Sequence, residues 1–171
     1  SRLIYHIPAR GLIGLSTDFM TATKGYGTLA HTFLEYRKAE KQSFGNRKAG
    51  VLVAVEEGKS TAYGIGQIEE RGVLFIEPNE LVYEGQIVGE CNKEDDLAVN
   101  VVKAKQQSNM RSSTKDMTVV LKRPRKMSLE ACLEYINDDE LIEITPRNIR
   151  LRKKILNTNE RKKFDSRKPK N

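Results

Sequence analysis

The sequence predicts an α+β fold in two parts. A strand, a helix and a second strand make half of a split βαβ unit, and a β-rich, barrel-like unit with one helix follows. Three observations support this prediction: apolar residues alternate at the start of the chain, they recur at helical spacing directly afterwards, and short β-like runs separated by turn residues fill most of the remainder.

The first part is predicted to cover residues 1–42. Alternation over Ser1–Pro8 predicts a strand, which ends at Pro8 because proline has no N–H to donate. Helical spacing predicts a helix from Ala9 to about Thr23, with Gly25 as its left-handed stop. Gly27–Arg37 is the second predicted strand. Two strands and one helix form a poor core, so we expect the chain to begin inside a domain. We expect this part to pack on the second part or to pair with another copy.

The second part is predicted to cover residues 43–156, with its boundary inside a polar hinge at 39–48. One helix is predicted over Ser128–Asn137, capped by Ser128, with Leu129, Cys132, Leu133 and Ile136 as its core stripe. Residues 56–59 are predicted to connect a hairpin, and residues 157–171 to form a frayed basic tail. The predicted strands are Val51–Val55, Thr61–Ile68, Val73–Ile76, Gln86–Gly89, Leu97–Val102, Thr118–Leu121, Glu140–Thr145 and Asn148–Leu151.

Basic residues are concentrated in two stretches of the chain. Residues 145–171 hold eleven of the 30 Lys/Arg and two of the 23 Asp/Glu, which leaves residues 1–144 with 19 basic and 21 acidic residues. Residues 103–126 hold eight basic residues and only Asp116 as an acid. Such clustering is expected of a protein that binds a phosphate-rich partner, although a solvated face with a basic tail has the same composition.

Sequence patterns that would indicate an enzyme or a membrane protein are incomplete. Gly58-Lys59-Ser60-Thr61 matches the end of a phosphate-binding loop, but Val53 stands where that loop needs glycine and we expect no helix to follow. Asn92-Lys93-Glu94-Asp95 resembles a guanine-reading motif without a phosphate site. Neither His6 nor His31 has metal-ligand spacing, and two distant cysteines are expected to be reduced. No apolar run is long enough to span a bilayer, and a signal peptide is not expected.

The remaining candidates are basic residues suited to RNA phosphates. A polar loop carries Arg111 beside Asn109 and Met110, and Arg and Lys there suit phosphate contacts. Without aromatic interleaving, shape and phosphate recognition of folded RNA fits better than base stacking. The predicted RNA-binding residues are Lys103, Lys105, Asn109, Met110, Arg111, Arg47, Lys48, Arg150, Arg152, Lys153 and Lys154.

Several segments resemble the TypA/BipA translational GTPases, which are relatives of elongation factor G. The resemblance covers essentially the whole chain. It rests on the basic end and on IPARGLIGLSTDFMTATKGYGTL (7–29), VYEGQIVGE (82–90), SNMRSSTKD (108–116) and MSLEACLEYINDDELIEITPRNIRLRKK (127–154). It implies that residues 1–42 are the second half of a ferredoxin-like domain, the fifth of elongation factor G, and that a family-specific C-terminal domain follows.

The resemblance implies a cytoplasmic partner of the ribosome. In the family, a C-terminal loop matching Lys103–Ser113 reaches toward the peptidyl transferase centre and A-site transfer RNA; Lys105 and Arg111 match its basic positions, whereas Gln106 replaces a residue that is often basic. The resemblance further implies large-subunit rRNA as partner, roles in stress response and ribosome assembly, and GTP with Mg²⁺ held by a domain absent from this chain. No cofactor, small-molecule substrate or membrane is expected for the chain itself.

Two other functions remain open on the sequence. The basic loop would equally serve an RNA- or tRNA-binding module that acts off the ribosome. A nucleotide-binding enzyme domain that uses residues 58–61 and 92–95 is the second alternative, and GTP binding by this chain would reveal it.

Overall fold

The computed structural model describes residues 1–38, 47–104 and 120–167. The helices are α1 Leu15–Ala22, α2 Ala62–Gly66, α3 Leu129–Tyr135 and α4 Thr158–Arg167, and a 3₁₀ turn covers Ala9–Leu12. The strands are β1 Val51–Ala54, β2 Gly58–Lys59, β3 Gly72–Leu74, β4 Leu81–Val82, β5 Gln86–Cys91, β6 Leu97–Val99, β7 Glu140–Ile144 and β8 Ile149–Lys153.

The main sheet is mixed and has the strand order β6-β1-β5-β8-β7. Strand β5 is central: its first residues pair with β8, its last residues pair with β3, and β1 runs antiparallel along its other side. Strand β6 pairs with β1 in parallel, and β2 and β4 form a separate two-stranded sheet. Within the described residues β6 and β7 do not meet, so the sheet is open and the predicted barrel-like closure is wrong.

Two apolar clusters pack on opposite faces of strand β1. Because successive side chains of a strand point to opposite sides, Leu52 and Ala54 lie in one cluster while Val51 and Val53 lie in the other. The first cluster is covered by α2, and the second by Cys132 and Tyr135 of α3. Strand β1 is therefore buried on both faces, which explains its continuous apolar sequence.

The two strands predicted in residues 1–38 are absent. Neither Ser1–Pro8 nor Gly27–Arg37 forms a strand, and none of residues 1–38 is buried. Alternating side chains favour an extended backbone, but a strand also needs a partner for its N–H and C=O groups. The described residues supply no partner strand for either segment. The first part does contact the second part, because Gly14 lies close to the Glu134 side chain of α3.

The predicted first helix is interrupted at Gly14. Its φ of 77° is left-handed, so the 3₁₀ turn at Ala9–Leu12 and helix α1 are separate elements. The predicted stop at Gly25 is confirmed, because its φ is 81° and its N–H donates to the Met20 carbonyl over 2.8 Å.

Four predictions for the second part and the tail are wrong. Residues 61–68, predicted as a strand, contain helix α2, because the Thr61 hydroxyl accepts the Gly64 N–H at the helix start. Residues 56–59 are no hairpin connection, since β2 pairs with β4. The described residues of 43–156 contain two helices, α2 and α3, instead of one. Residues 158–167 of the predicted frayed tail form α4, whose first N–H groups are accepted by the Asn157 side chain and by Glu84.

Other elements agree with the sequence more closely. Strands β1, β6 and β7 lie within predicted runs, and β3, β5 and β8 overlap theirs. The Ser128 hydroxyl caps α3 by accepting the Ala131 N–H over 3.2 Å. Cys132 is buried as expected, whereas Leu133 is exposed and Tyr135 takes its place in the core. The predicted boundary at residues 42 and 43 lies outside the described residues, as do 118 and 119 of the strand predicted at 118–121, and Val120 and Leu121 are not in a strand. No helix in the described ranges has the length and apolarity to cross a membrane.

Candidate nucleic-acid interface

Strand β8 carries two of the predicted RNA-binding arginines on its partly exposed face. Arg150 faces Glu143 across the β7–β8 ladder, and it has no ion pair within the described part of the chain. Arg152 lies with its Nε 2.9 Å from the Glu143 carboxylate, which also accepts the Tyr83 hydroxyl over 2.6 Å. Burial, followed by that hydrogen bond to Glu143, raises the pKa of Tyr83. Arg150 is thus partly exposed with its Nε buried and without a hydrogen-bond partner among the described residues, whereas the charge of Arg152 is partly neutralised by Glu143.

Lys153 is predicted with these arginines, but it lies inside the protein. It is two residues beyond the buried Leu151, so it shares the core-facing side of β8 and is 3 % exposed. Its ammonium lies 2.6 Å from Asp96, 2.8 Å from Asp139 and 2.9 Å from Glu140. Because the ammonium is paired with these carboxylates and buried, Lys153 has no exposed group that could bind a phosphate.

Arg47 is the second cation that the fold uses internally. Its guanidinium donates two hydrogen bonds to the Glu140 carboxylate, over 2.8 and 3.1 Å, and another to the Tyr135 carbonyl. The same group lies 4.3 Å from the centre of the Tyr135 ring. Arg47 therefore fixes the start of the second part onto α3 and β7.

Glu140 is the shared acceptor of this buried ion network, which we define as Arg47, Glu140, Lys153, Asp96 and Asp139. Its side chain is fully buried, and it also accepts the Asn137 N–H over 3.1 Å. Burial opposes its charged form, but the bonds from Arg47, Lys153 and the Asn137 N–H outweigh it and hold the pKa of Glu140 below the usual range. Burial likewise opposes the charge of Lys153, yet the facing carboxylates raise its pKa to about 12.

The remaining predicted residues are exposed or lie outside the described residues. Lys48 and Lys154 are exposed, and the Lys154 ammonium donates to the Asp138 carbonyl. Lys103 is exposed at the entry of the predicted loop, where its N–H donates to Asn100 and its carbonyl accepts the Thr61 hydroxyl over 2.6 Å. The predicted residues that lie outside the described residues are Lys105, Asn109, Met110 and Arg111.

The phosphate-loop-like segment has no hydroxyl to offer a nucleotide. Ser60 is 1 % exposed, and its hydroxyl donates to the Glu77 carbonyl and accepts the Glu80 N–H. The Thr61 hydroxyl is occupied by the Lys103 carbonyl and by the Gly64 N–H. A short helix does follow, contrary to our expectation, but both hydroxyls serve the fold.

Metal and thiol chemistry have no assembled site in the described ranges. No cluster of three or more His, Cys, Asp or Glu side chains there is arranged to hold a metal ion. Cys91 and Cys132 are buried free thiols that lie in different core clusters, and burial raises the pKa of Cys132.

Comparison with known proteins identifies two C-terminal domains. The sequence model of the TypA/BipA C-terminal domain matches residues 49–158, and that of the elongation factor G C-terminus matches residues 1–47. A relative from Bacillus subtilis, named large ribosomal subunit assembly factor BipA, is 58 % identical over 162 residues, which is 95 % of this chain and 26 % of that protein.

Relatives of the same name occur in other bacteria. The protein from Haemophilus influenzae is 48 % identical over 95 % of this chain and 26 % of its own length. The protein from Escherichia coli O157:H7 is 45 % identical over 95 % of this chain and 27 % of its own length. The chain thus spans about a quarter of the length of the curated relatives it matches.

Proposed function

The chain belongs to the TypA/BipA family, and from that premise we propose that it is the ribosome-binding C-terminal region of a translational GTPase that acts in large-subunit assembly. The match of residues 49–158 to the TypA/BipA C-terminal domain carries this proposal, because the relatives that share it are named for assembly of the large ribosomal subunit. Such a partner implies a location in the cytoplasm. GTP and Mg²⁺ would be held by another part of the longer protein.

The proposed contact is with large-subunit rRNA and depends on charge. Exposed cations at Lys48, Lys103 and Lys154 and the partly exposed Arg150 support it, since Lys and Arg bind phosphate oxygens by charge-assisted hydrogen bonds. Arg47 and Lys153, which the buried ion network occupies, are left out of the proposed interface.

The finer proposal concerns the loop that begins at Lys103. We propose that it reaches toward the peptidyl transferase centre and the A-site transfer RNA, and that Lys105 and Arg111 make its phosphate contacts. The family resemblance of SNMRSSTKD (108–116) supports this assignment. The Thr61 and Asn100 side chains hold the loop entry at Lys103, so a contact made farther along would start from a fixed point.

Sedimentation with purified ribosomal subunits tests the proposed function. We expect the 171-residue chain to pellet with large subunits in preference to small subunits, and excess free tRNA to leave this association intact. Equal binding to both subunits, or full displacement by tRNA, would favour an RNA-binding module that acts off the ribosome. Binding of GTP by the chain would favour the enzyme alternative.

A further inference from the structure

Residues 122–126 carry four cations in five positions, and we call this segment the basic strap. Lys122, Arg123, Arg125 and Lys126 are all exposed, and Pro124 between them is partly buried. The strap has no helical or strand assignment, and it follows Leu121, which packs against the first core cluster. It is the densest run of exposed positive charge among the described residues, and the residues predicted from sequence do not include it.

The strap is held beside strand β3 by hydrogen bonds from its own backbone N–H groups, and these bonds do not use its side chains. The Arg125 N–H donates to the Leu74 carbonyl of β3 over 2.8 Å. The Lys122 N–H donates to the Glu69 carboxylate over 2.6 Å. Pro124 has no N–H to satisfy and fixes its own φ, so it favours an extended path between these two anchors. Replacement of the Lys122 side chain would not remove its backbone bond.

The four cations of the strap differ in what they already contact. Arg125 lies 3.3 Å from Glu90 and 5.9 Å from the centre of the Phe75 ring. Lys126 lies 3.4 Å from Glu77, in a pair whose two side chains are 76 % and 57 % exposed. Exposed pairs of this kind contribute little, so a phosphate can replace the carboxylate. Lys122 and Arg123 make no ion pair within the described ranges.

We propose that the basic strap is an additional contact surface for the sugar-phosphate backbone of RNA. This inference rests on the proposed function and adds a second area to it. Arg123 and Arg125 are alternate residues, and an extended segment separates alternate side chains by about 6.6 Å, which is comparable with the spacing of successive phosphates along one RNA strand. Lys122 precedes this pair and adds charge at its start. The Phe75 ring beside the strap packs against the second core cluster and lies 5.9 Å from the Arg125 guanidinium, so the proposed contact uses phosphates and is independent of base identity.

The test compares two double variants of the 171-residue chain. Lys122→Ala/Arg123→Ala removes the two unpaired cations of the strap. Lys59→Ala/Lys93→Ala removes the same charge from β2 and from the turn after β5, where both lysines are exposed. Affinity is measured by fluorescence anisotropy for a short RNA duplex and by sedimentation for large subunits, at several salt concentrations. Lys122→Arg/Arg123→Lys keeps the charge and serves as the conservative variant.

We expect the strap variant to weaken binding of both probes and the other two variants to bind like the unchanged chain. Two lost phosphate contacts flatten the salt slope by roughly 1.8, so the ratio of unchanged to variant affinity rises about sevenfold between about 150 mM and about 50 mM salt. The melting temperature should not change, because the anchoring bonds come from the backbone.

Four results would overturn the inference. Unchanged affinity in the strap variant, or an equal loss in Lys59→Ala/Lys93→Ala, would mean that the strap makes no special contribution. Loss of large-subunit binding with unchanged duplex binding would assign the strap to a ribosomal protein. If the unchanged chain itself fails to bind large subunits, the proposed function fails, and the inference with it.

Discussion

Replacing Glu140 by glutamine should destabilise the protein more than any comparable change on the same strand. Glu140→Gln keeps the shape of the side chain but removes the charge that Arg47 and Lys153 share. It also turns one of the two acceptor oxygens into an N–H₂ donor, whereas at present Oε1 accepts bonds over 2.8 and 2.9 Å and Oε2 accepts two bonds over 3.1 Å. Arg47 would keep its backbone acceptors at Ala49 and Tyr135, but it would lose its carboxylate.

The magnitude follows from burial. Removing one partner of a buried ion pair typically costs about 3–5 kcal/mol, because the remaining charge stays desolvated. Lys153 retains Asp96 and Asp139, which are 42 % and 47 % exposed, and these bonds offset part of the loss. We therefore expect a decrease near the lower limit, about 3 kcal/mol, against a typical domain stability of about 5–15 kcal/mol.

Glu143→Gln is the matched control. It makes the same chemical change on the same strand, but Glu143 and its partner Arg152 are 37 % and 24 % exposed. Pairs at that exposure contribute about 0–1 kcal/mol. Urea unfolding, followed by circular dichroism, measures both variants, with equal slopes required for the comparison. If Glu140→Gln unfolds within about 0.5 kcal/mol of Glu143→Gln, the reasoning about the buried network is refuted.

Three further predictions concern pH, helix capping and the loop. Because the folded pKa of Glu140 is lowered, the stability that its charge contributes is present at neutral pH and is lost as pH falls through that pKa. The free energy of unfolding, measured from about pH 7 to about pH 3, should decline less for Glu140→Gln than for the unchanged chain, and equal declines would contradict this. Ser128→Ala should cost about 1 kcal/mol in thermal or urea unfolding by removing the α3 cap, while an unchanged midpoint would show that the cap is unimportant. Lys105→Ala/Arg111→Ala should keep the melting temperature within about 2 °C yet weaken sedimentation with large subunits; retained association would move the RNA contact toward Arg150 and Lys154.

Local sequence signals predicted the elements whose stabilising contacts are also local. The Ser128 cap and the Gly25 stop are both confirmed, because each depends on residues within five positions. The strands predicted at Ser1–Pro8 and Gly27–Arg37 are absent, because alternation indicates an extended backbone but cannot supply a pairing partner. The strand predicted over residues 61–68 is wrong because Thr61, a strand-forming residue, also caps helices and begins α2 here.

In the candidate interface, too, the sequence predicted what depends on local signals and missed what depends on distant residues. Exposure of Lys48 and partial exposure of Arg150 agree with a surface role, although RNA binding by them stays a prediction. Lys153 was grouped with its basic neighbours, whereas strand periodicity alone places it on the same side as Leu151. Its partners come from residues 96, 139 and 140, so only the folded chain reveals why a lysine is buried there. The role of Arg47 depends on Glu140, 93 residues away in sequence.

Electron cryo-microscopy of large ribosomal subunits saturated with the 171-residue chain tests the central claim most directly. The account predicts density for residues 49–158 against rRNA, with Arg150 and Lys103 facing phosphates and the loop after Lys103 directed toward the peptidyl transferase centre. Density confined to ribosomal proteins, or subunits that carry no bound chain at saturating concentration, would contradict it.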